Sequence, residues 1–161
     1  MEKILRYVYS SKKFKSVLNA VSDFSVPVFL GAFVALSFLS YMMGLVFFLK
    51  TLIFSAVAFI LVTLVRRFIR AKRPYELYSF YKEKPRGKKG DSFPSRHVFS
   101  AFLIATLFYS FSLLASILLL AAGVLLALSR VLLGIHFPRD VIAGGAIGII
   151  SGIIGILLLS L

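Results

Sequence analysis

The 161-residue sequence contains no cysteine, which excludes disulfides, thiolate metal sites and a cysteine nucleophile together but leaves the redox compartment open. Acids are almost as scarce. Six Asp and Glu stand against nineteen Lys and Arg, for a formal net charge of +13. Any exposed polar surface is therefore strongly cationic and suits anionic partners, of which phosphorylated lipids and nucleic acids are the two obvious classes. Charged residues of both signs make up only 16% of the chain, the apolar share is 60%, and the mean hydropathy is +0.96. A soluble domain carries about a quarter charged residues and is nearer half apolar. The bilayer is the solvent this composition requires. Most of the length is then needed to fill a membrane, and no recognisable nucleic-acid-binding module is present, so nucleic acid is not expected as a partner.

What the sequence does contain is long apolar runs separated by short polar clusters. Residues 1–16 scatter their apolar side chains among Lys3, Arg6, Lys12, Lys13 and Lys15, unlike the continuous core of a cleavable signal peptide, and are expected to stay on the mature protein. Ile4, Leu5, Val8, Tyr9 and Phe14 recur at roughly helical spacing, which predicts a short amphipathic helix in the membrane interface, although a frayed basic tail fits the same composition. Residues 17–65 are apolar except at Asp23, Gly44 and Lys50. That length holds two spans of about twenty residues but not three. They are expected at residues 24–43 and 45–65, with Gly44 near the turn and Lys50 snorkelling to the near interface.

Residues 66–95 are the one long polar stretch, rich in Arg and Lys and punctuated by Pro74, Pro85, Gly87, Gly90 and Pro94. They must form a basic loop outside the hydrocarbon. Further spans are expected at residues 98–109, 113–133 and 141–161, the last with Gly144, Gly148 and Gly152 at four-residue spacing and Gly145 and Gly155 alongside. That smooth face suits close helix packing, within the bundle rather than between copies. The fold expected is an all-α integral membrane bundle, a single domain over residues 1–161 with about five transmembrane helices plus the interfacial helix at residues 1–16.

Five spans place the end of the second, the start of the third, the end of the fourth and the start of the fifth on one membrane face, and the polar clusters fall at those ends. If the second span continues as a helix to Lys72, then Arg66, Arg70 and Arg73 share a face and present forked donors that match phosphate oxygens. The same cations could instead complement the helix dipole and touch headgroups. Ser95 is a candidate N-cap whose following N–H groups would face an anion, and His97 on that turn could exchange a proton near neutral pH. Ordinary capping and an interfacial histidine explain this pair as well. Pro138 suits a first helical position, so Asp140 falls in the first turn and could accept a hydrogen bond from one ring nitrogen of His136, leaving the other free to attack. Taken singly, Asp140 could be only a favourable acid at a helix N-terminus and His136 only a loop residue. Their joint arrival at one face of an apolar chain is what points to a site.

The order Arg66-x6-Arg73-Pro74, then Pro94-Ser95-Arg96-His97, then Ser129-Arg130-x5-His136-x3-Asp140 resembles the three-part signature of the type 2 phosphatidic acid phosphatase superfamily. The parts cover residues 66–140, and the third is the most specific. The resemblance implies a helical membrane fold and a phosphohistidine mechanism that uses no metal and no cofactor. By position, His136 would attack phosphorus, Asp140 would orient it and His97 would protonate the leaving oxygen, while Arg66, Arg73, Ser95 and Arg130 would hold phosphate oxygens. Arg96 would bind a second anionic group, and Arg70 and Lys72 are further candidates for substrate binding. Three departures stand out. Arg66 replaces the usual Lys, Arg96 replaces the usual Gly, and many bacterial members have a further span.

The implied partner is a phosphorylated membrane lipid in a bilayer. The basic run at residues 82–89 and Arg96 favour a headgroup with more than one anionic group, which points to lipid A 1-phosphate first, with phosphatidylglycerophosphate or undecaprenyl diphosphate as alternatives. A monomer in the bacterial inner membrane is expected. Every Lys and Arg but Lys50 falls on the site face, which would put that face in the cytoplasm by the positive-inside rule; relatives that work on the outer leaflet argue for the periplasm, which is the expectation here. A vanadium haloperoxidase would share the motif but resembles a soluble helical protein, and a non-enzymatic lipid carrier or flippase leaves His97, His136 and Asp140 unexplained.

Overall fold

A computed structural model describes residues 2–78 and 90–159, so the basic run at residues 82–89 and the last two positions of the expected fifth span lie outside the described residues. All regular structure among the described residues is helical: α1 Glu2–Ser10, α2 Lys12–Met42, α3 Leu45–Ile69, α4 Pro74–Leu77, α5 Arg96–Leu107, α6 Leu113–Leu132 and α7 Pro138–Leu159, with a 3-10 turn at Phe108–Ser110.

Gly44 makes the expected turn between α2 and α3, at φ 122, a conformation that side chains with a β-carbon rarely adopt. Near the N-terminus the expectation needs correction. The helix expected over residues 1–16 ends at Ser10, because Ser11 is extended and its hydroxyl accepts from the Phe14 N–H at 3.3 Å to cap α2. Phe14 and the lysines around it therefore belong to α2. Leu5 and Val8 on α1 are fully buried, Leu5 beside Tyr75 and Val8 among Leu18, Leu133 and Ile135, and the Tyr9 hydroxyl donates to the Leu133 carbonyl at 3.2 Å. Only the other side of α1, with Ile4 and Tyr7, faces outward. The helix packs on protein rather than lying wholly on lipid.

Among the described residues four helices are long and apolar enough to cross a membrane, namely α2, α3, α6 and α7. The third span expected at residues 98–109 is α5, 12 residues long or about 18 Å at the usual helical rise, and it runs on into the 3-10 turn at Phe108–Ser110. It sits in the centre of the bundle, with Val98, Phe99, Ala101, Leu103, Ile104, Ala105 and Leu107 all buried. A helix apolar around most of its circumference is one that other helices enclose. Outward faces of the long helices carry exposed Leu30, Val34, Leu61, Leu118 and Ile150, as contact with lipid tails requires.

The glycine face of α7 lies against α5, as the spacing predicted. A β-carbon at Gly148 would meet the Phe99 carbonyl at 2.6 Å, and one at Gly152 would meet the Thr106 β-carbon at 2.5 Å. Close approach of these two backbones brings the start of α5 beside the start of α7, where the second and third motif clusters sit.

Candidate active site

The end of α3 does not continue to Lys72. Arg70 takes a left-handed conformation, φ 47, with its N–H on the Arg66 carbonyl, and closes the helix after Ile69. Pro74 explains why, since a proline disfavours the helical region for the residue before it, and Arg73 is extended at φ −93 and ψ 158. Arg66, Arg70 and Arg73 therefore do not share a helix face. Arg66 is buried on the inner side of α3 and Arg73 is buried as the N-cap of α4, whereas Arg70 and Lys72 are exposed to the outside. Only the first pair is directed into the site.

Arg66 grips the loop that precedes α5. Its Nη1 donates to the Pro94 carbonyl at 2.8 Å and its Nη2 to the Asp91 carbonyl. Arg73 Nε donates to the Gly90 carbonyl at 3.1 Å. Glu76, to which sequence reasoning gave no role, ties the same region: its Oε1 accepts from the Arg73 N–H at 3.1 Å and the Gly90 N–H at 2.7 Å.

Ser95 occupies the N-cap position of α5 as expected, but its hydroxyl makes no capping bond. It is fully buried, with Oγ unpartnered among the described residues, and its N–H donates to the Asp140 carbonyl at 2.9 Å. Arg130 Nε is likewise buried without a partner. The Arg130 carbonyl receives the N–H groups of Ile135 and His136 at 3.0 and 3.2 Å, which folds the segment after α6 back toward that arginine. Asp140 Oδ1 and Ser55 Oγ also make no hydrogen bond among the described residues, and buried polar atoms left unsatisfied are costly unless a ligand completes them.

His136 is 2% exposed and precedes Pro138, which opens α7 as predicted. Asp140 is fully buried in the first turn, and its Oδ2 accepts from the Phe137 N–H at 2.9 Å. The direct imidazole to carboxylate hydrogen bond read from the sequence is not made, because His136 Nδ1 stands 3.7 Å from Asp140 Oδ2. Ser92 lies beside both, its hydroxyl donating to Asp140 Oδ2 at 2.5 Å and standing 3.3 Å from His136 Nδ1. Sequence reasoning missed Ser92 because its partners are 44 and 48 residues away and nothing local marks it. Burial, with the charges of Arg73 and Arg66, holds the His136 imidazole below its ordinary pKa, while Asp140 pulls the other way.

Arg96 and His97 face the other side of the site, at the end of a cleft of about 720 Å³ lined by Phe29, Phe33, Phe59 and Leu126. The Arg96 guanidinium lies 5.8 Å from the centre of the Phe59 ring. Among the described residues no group of three or more His, Cys, Asp or Glu could hold a metal ion. The charge placed around the buried polar atoms is that of guanidiniums.

A family profile described as the PAP2 superfamily matches residues 44–160. The chain belongs to that superfamily. Among PAP2 proteins it is similar to a lipid A 1-phosphatase of Porphyromonas gingivalis, 35% identical over 82 residues, which are 48% of this chain and 18% of the relative. The match thus spans less than a fifth of that relative's length. Two solved structures share the fold. One is a transmembrane PAP2 type phosphatidylglycerolphosphate phosphatase from Bacillus subtilis, with TM-score 0.71, 19% identity, and coverage of 98% of this chain and 83% of the other. The second is LpxE of Aquifex aeolicus, with TM-score 0.65, 25% identity, and coverage of 96% and 93%.

Proposed function

We propose that the protein is an integral membrane phosphatase that releases phosphate from a lipid headgroup through a phosphohistidine on His136. The observation that carries this reading is that two donors, Ser95 Oγ and Arg130 Nε, are buried without a partner among the described residues in the network that holds His136. A phosphate oxygen accepts from both, and charge-assisted bonds of this kind are the strong ones. Phosphoryl transfer asks mainly for positioning and charge stabilisation, which guanidiniums can supply. In the first step the free ring nitrogen of His136 bonds to phosphorus while the ester P–O bond breaks, and His97, which takes up a proton when the phosphate's negative charge comes beside it, gives that proton to the leaving oxygen. Water then attacks phosphorus, returns a proton to His97 and frees His136. Arg73, Ser95 and Arg130 hold the phosphate, and Arg66 contributes charge while it braces the 91–95 loop.

The apolar cleft that ends at Arg96 and His97 suits a lipid tail beneath a phosphate. Lipid A 1-phosphate is the first substrate candidate, supported by the matched relative and by Arg96 as a ligand for a second anionic group. Phosphatidylglycerophosphate and undecaprenyl diphosphate are the alternatives. In this reading the whole chain, residues 1–161, acts as one domain and as a monomer in the inner membrane, with the site on the periplasmic side. Purified protein in EDTA, given a panel of phosphorylated lipids, is expected to release phosphate and to prefer multiply charged headgroups. Lipid binding without release would point to a carrier instead.

A further inference from the structure

Ser92 is fully buried, and its own N–H donates to the Ala71 carbonyl at 2.9 Å, so its backbone is fixed against the segment that leaves α3. Its hydroxyl makes the closest side-chain contact that Asp140 has, at 2.5 Å to Oδ2. We propose that Ser92 is a positioning residue for the nucleophile, joining the His136 imidazole to the Asp140 carboxylate and setting the imidazole tautomer. The inference rests on the reading of His136 as nucleophile.

An ionised carboxylate can only accept, so the single proton of the Ser92 hydroxyl goes to Asp140 Oδ2. Toward His136 the hydroxyl then has only lone pairs to offer. At 3.3 Å its partner Nδ1 must carry the hydrogen, and a neutral imidazole with hydrogen on Nδ1 has its lone pair on Nε2. Because Nδ1 stands 3.7 Å from the carboxylate, Asp140 alone is poorly placed to enforce this. When Nε2 bonds to phosphorus the ring becomes positive, and the polarised hydroxyl passes that charge's attraction on to Asp140 with no proton needing to move.

Two measurements test it. The chain has two histidines, so ring ¹⁵N signals of labelled protein in detergent can be assigned by comparison with His97→Asn. The wild type is expected to show His136 with hydrogen on Nδ1, and hydrogen on Nε2 would overturn the proposal without any Ser92 variant having to fold. In kinetics, Ser92→Ala is expected to lower kcat about 10- to 100-fold, the scale of a hydrogen bond to a charged group, with KM within about twofold. Adding Ser92→Ala to Asp140→Asn should then cost much less than the product of the single losses, because both act on one imidazole. Wild-type kcat in Ser92→Ala, or fully multiplicative losses, would reject the role of Ser92 while an inactive His136→Ala leaves the nucleophile standing. Turnover by His136→Ala would instead reject the underlying reading.

Discussion

Gly144 passes so close to Ser95 that a β-carbon on it would stand 2.6 Å from the Ser95 carbonyl oxygen and 3.3 Å from the Ser95 nitrogen. Neither atom can swing away as a flexible side chain would. Its neighbour Gly145 has only ordinary contacts, none nearer than 3.7 Å and all with the Phe102 ring. The same pair of helices therefore offers a forbidden and a permitted position side by side.

Gly144→Ala is expected to force α7 off α5, destabilising the protein by about 1–3 kcal/mol and cutting phosphate release, because Ser95 and Asp140 move apart. Gly145→Ala should leave both nearly unchanged. Thermal unfolding in detergent together with phosphate release checks the contrast, and equal tolerance of the two would contradict the packing described.

Arg66 and Arg130 should separate by the kind of loss. Arg66→Ala removes the donor from two backbone carbonyls, at a cost of about 1–3 kcal/mol for each left buried and unpaired, so both stability and activity should fall. Arg130→Ala removes a group whose Nε has no hydrogen-bond partner among the described residues, so activity should fall with little loss of thermal stability. Orthovanadate, a mimic of phosphate, is expected to raise the unfolding temperature of the wild type but not of Arg130→Ala.

Asp140 is the group that raises the His136 pKa against burial and the charges of Arg73 and Arg66. Its removal should push that pKa down, so that His136 stays neutral and able to attack to lower pH. The acid limb of kcat/KM is expected below the ordinary histidine value of about 6.5, and Asp140→Asn should move it lower still while reducing the maximum. A limb that moves to higher pH would show that Asp140 does not act on the nucleophile.

Arg96 tests specificity. Half-buried at the end of the cleft and lying against Phe59, it can reach a second anionic group near the phosphate. Arg96→Gly is expected to raise KM roughly tenfold or more for lipids with a second anionic group, the scale of one charge-assisted bond, and hardly at all for phosphatidic acid. A uniform shift across the panel would remove Arg96 from substrate recognition.

Much of this architecture could be read before any coordinates, because a membrane admits few backbone solutions and makes every polar cluster conspicuous. The turn at Gly44, the start of α7 at Pro138, the glycine face on α5 and the packing of the Ser95 turn against Asp140 were all legible in this way. The rest failed for identifiable reasons. Cations at helical spacing allow a helix that continues to Lys72, whereas the left-handed Arg70 closes α3 after Ile69 and Pro74 holds Arg73 extended. The apolar face of α1 looks the same whether lipid or protein covers it, so burial of Leu5 and Val8 could not be foreseen. Ser92 was invisible because a serine acquires its meaning only when folding brings Asp140 and His136 to it.

The central claim, covalent catalysis by His136, is tested most directly by trapping. Protein in EDTA is mixed with a lipid carrying ³²P in its terminal phosphate, quenched within the turnover time, and examined for label on the chain. The account predicts label that survives alkali, is lost in acid, maps to the peptide containing His136 and is absent from His136→Ala, which also releases no phosphate. Unlabelled protein with full turnover, or normal phosphate release by a folded His136→Ala, would contradict it.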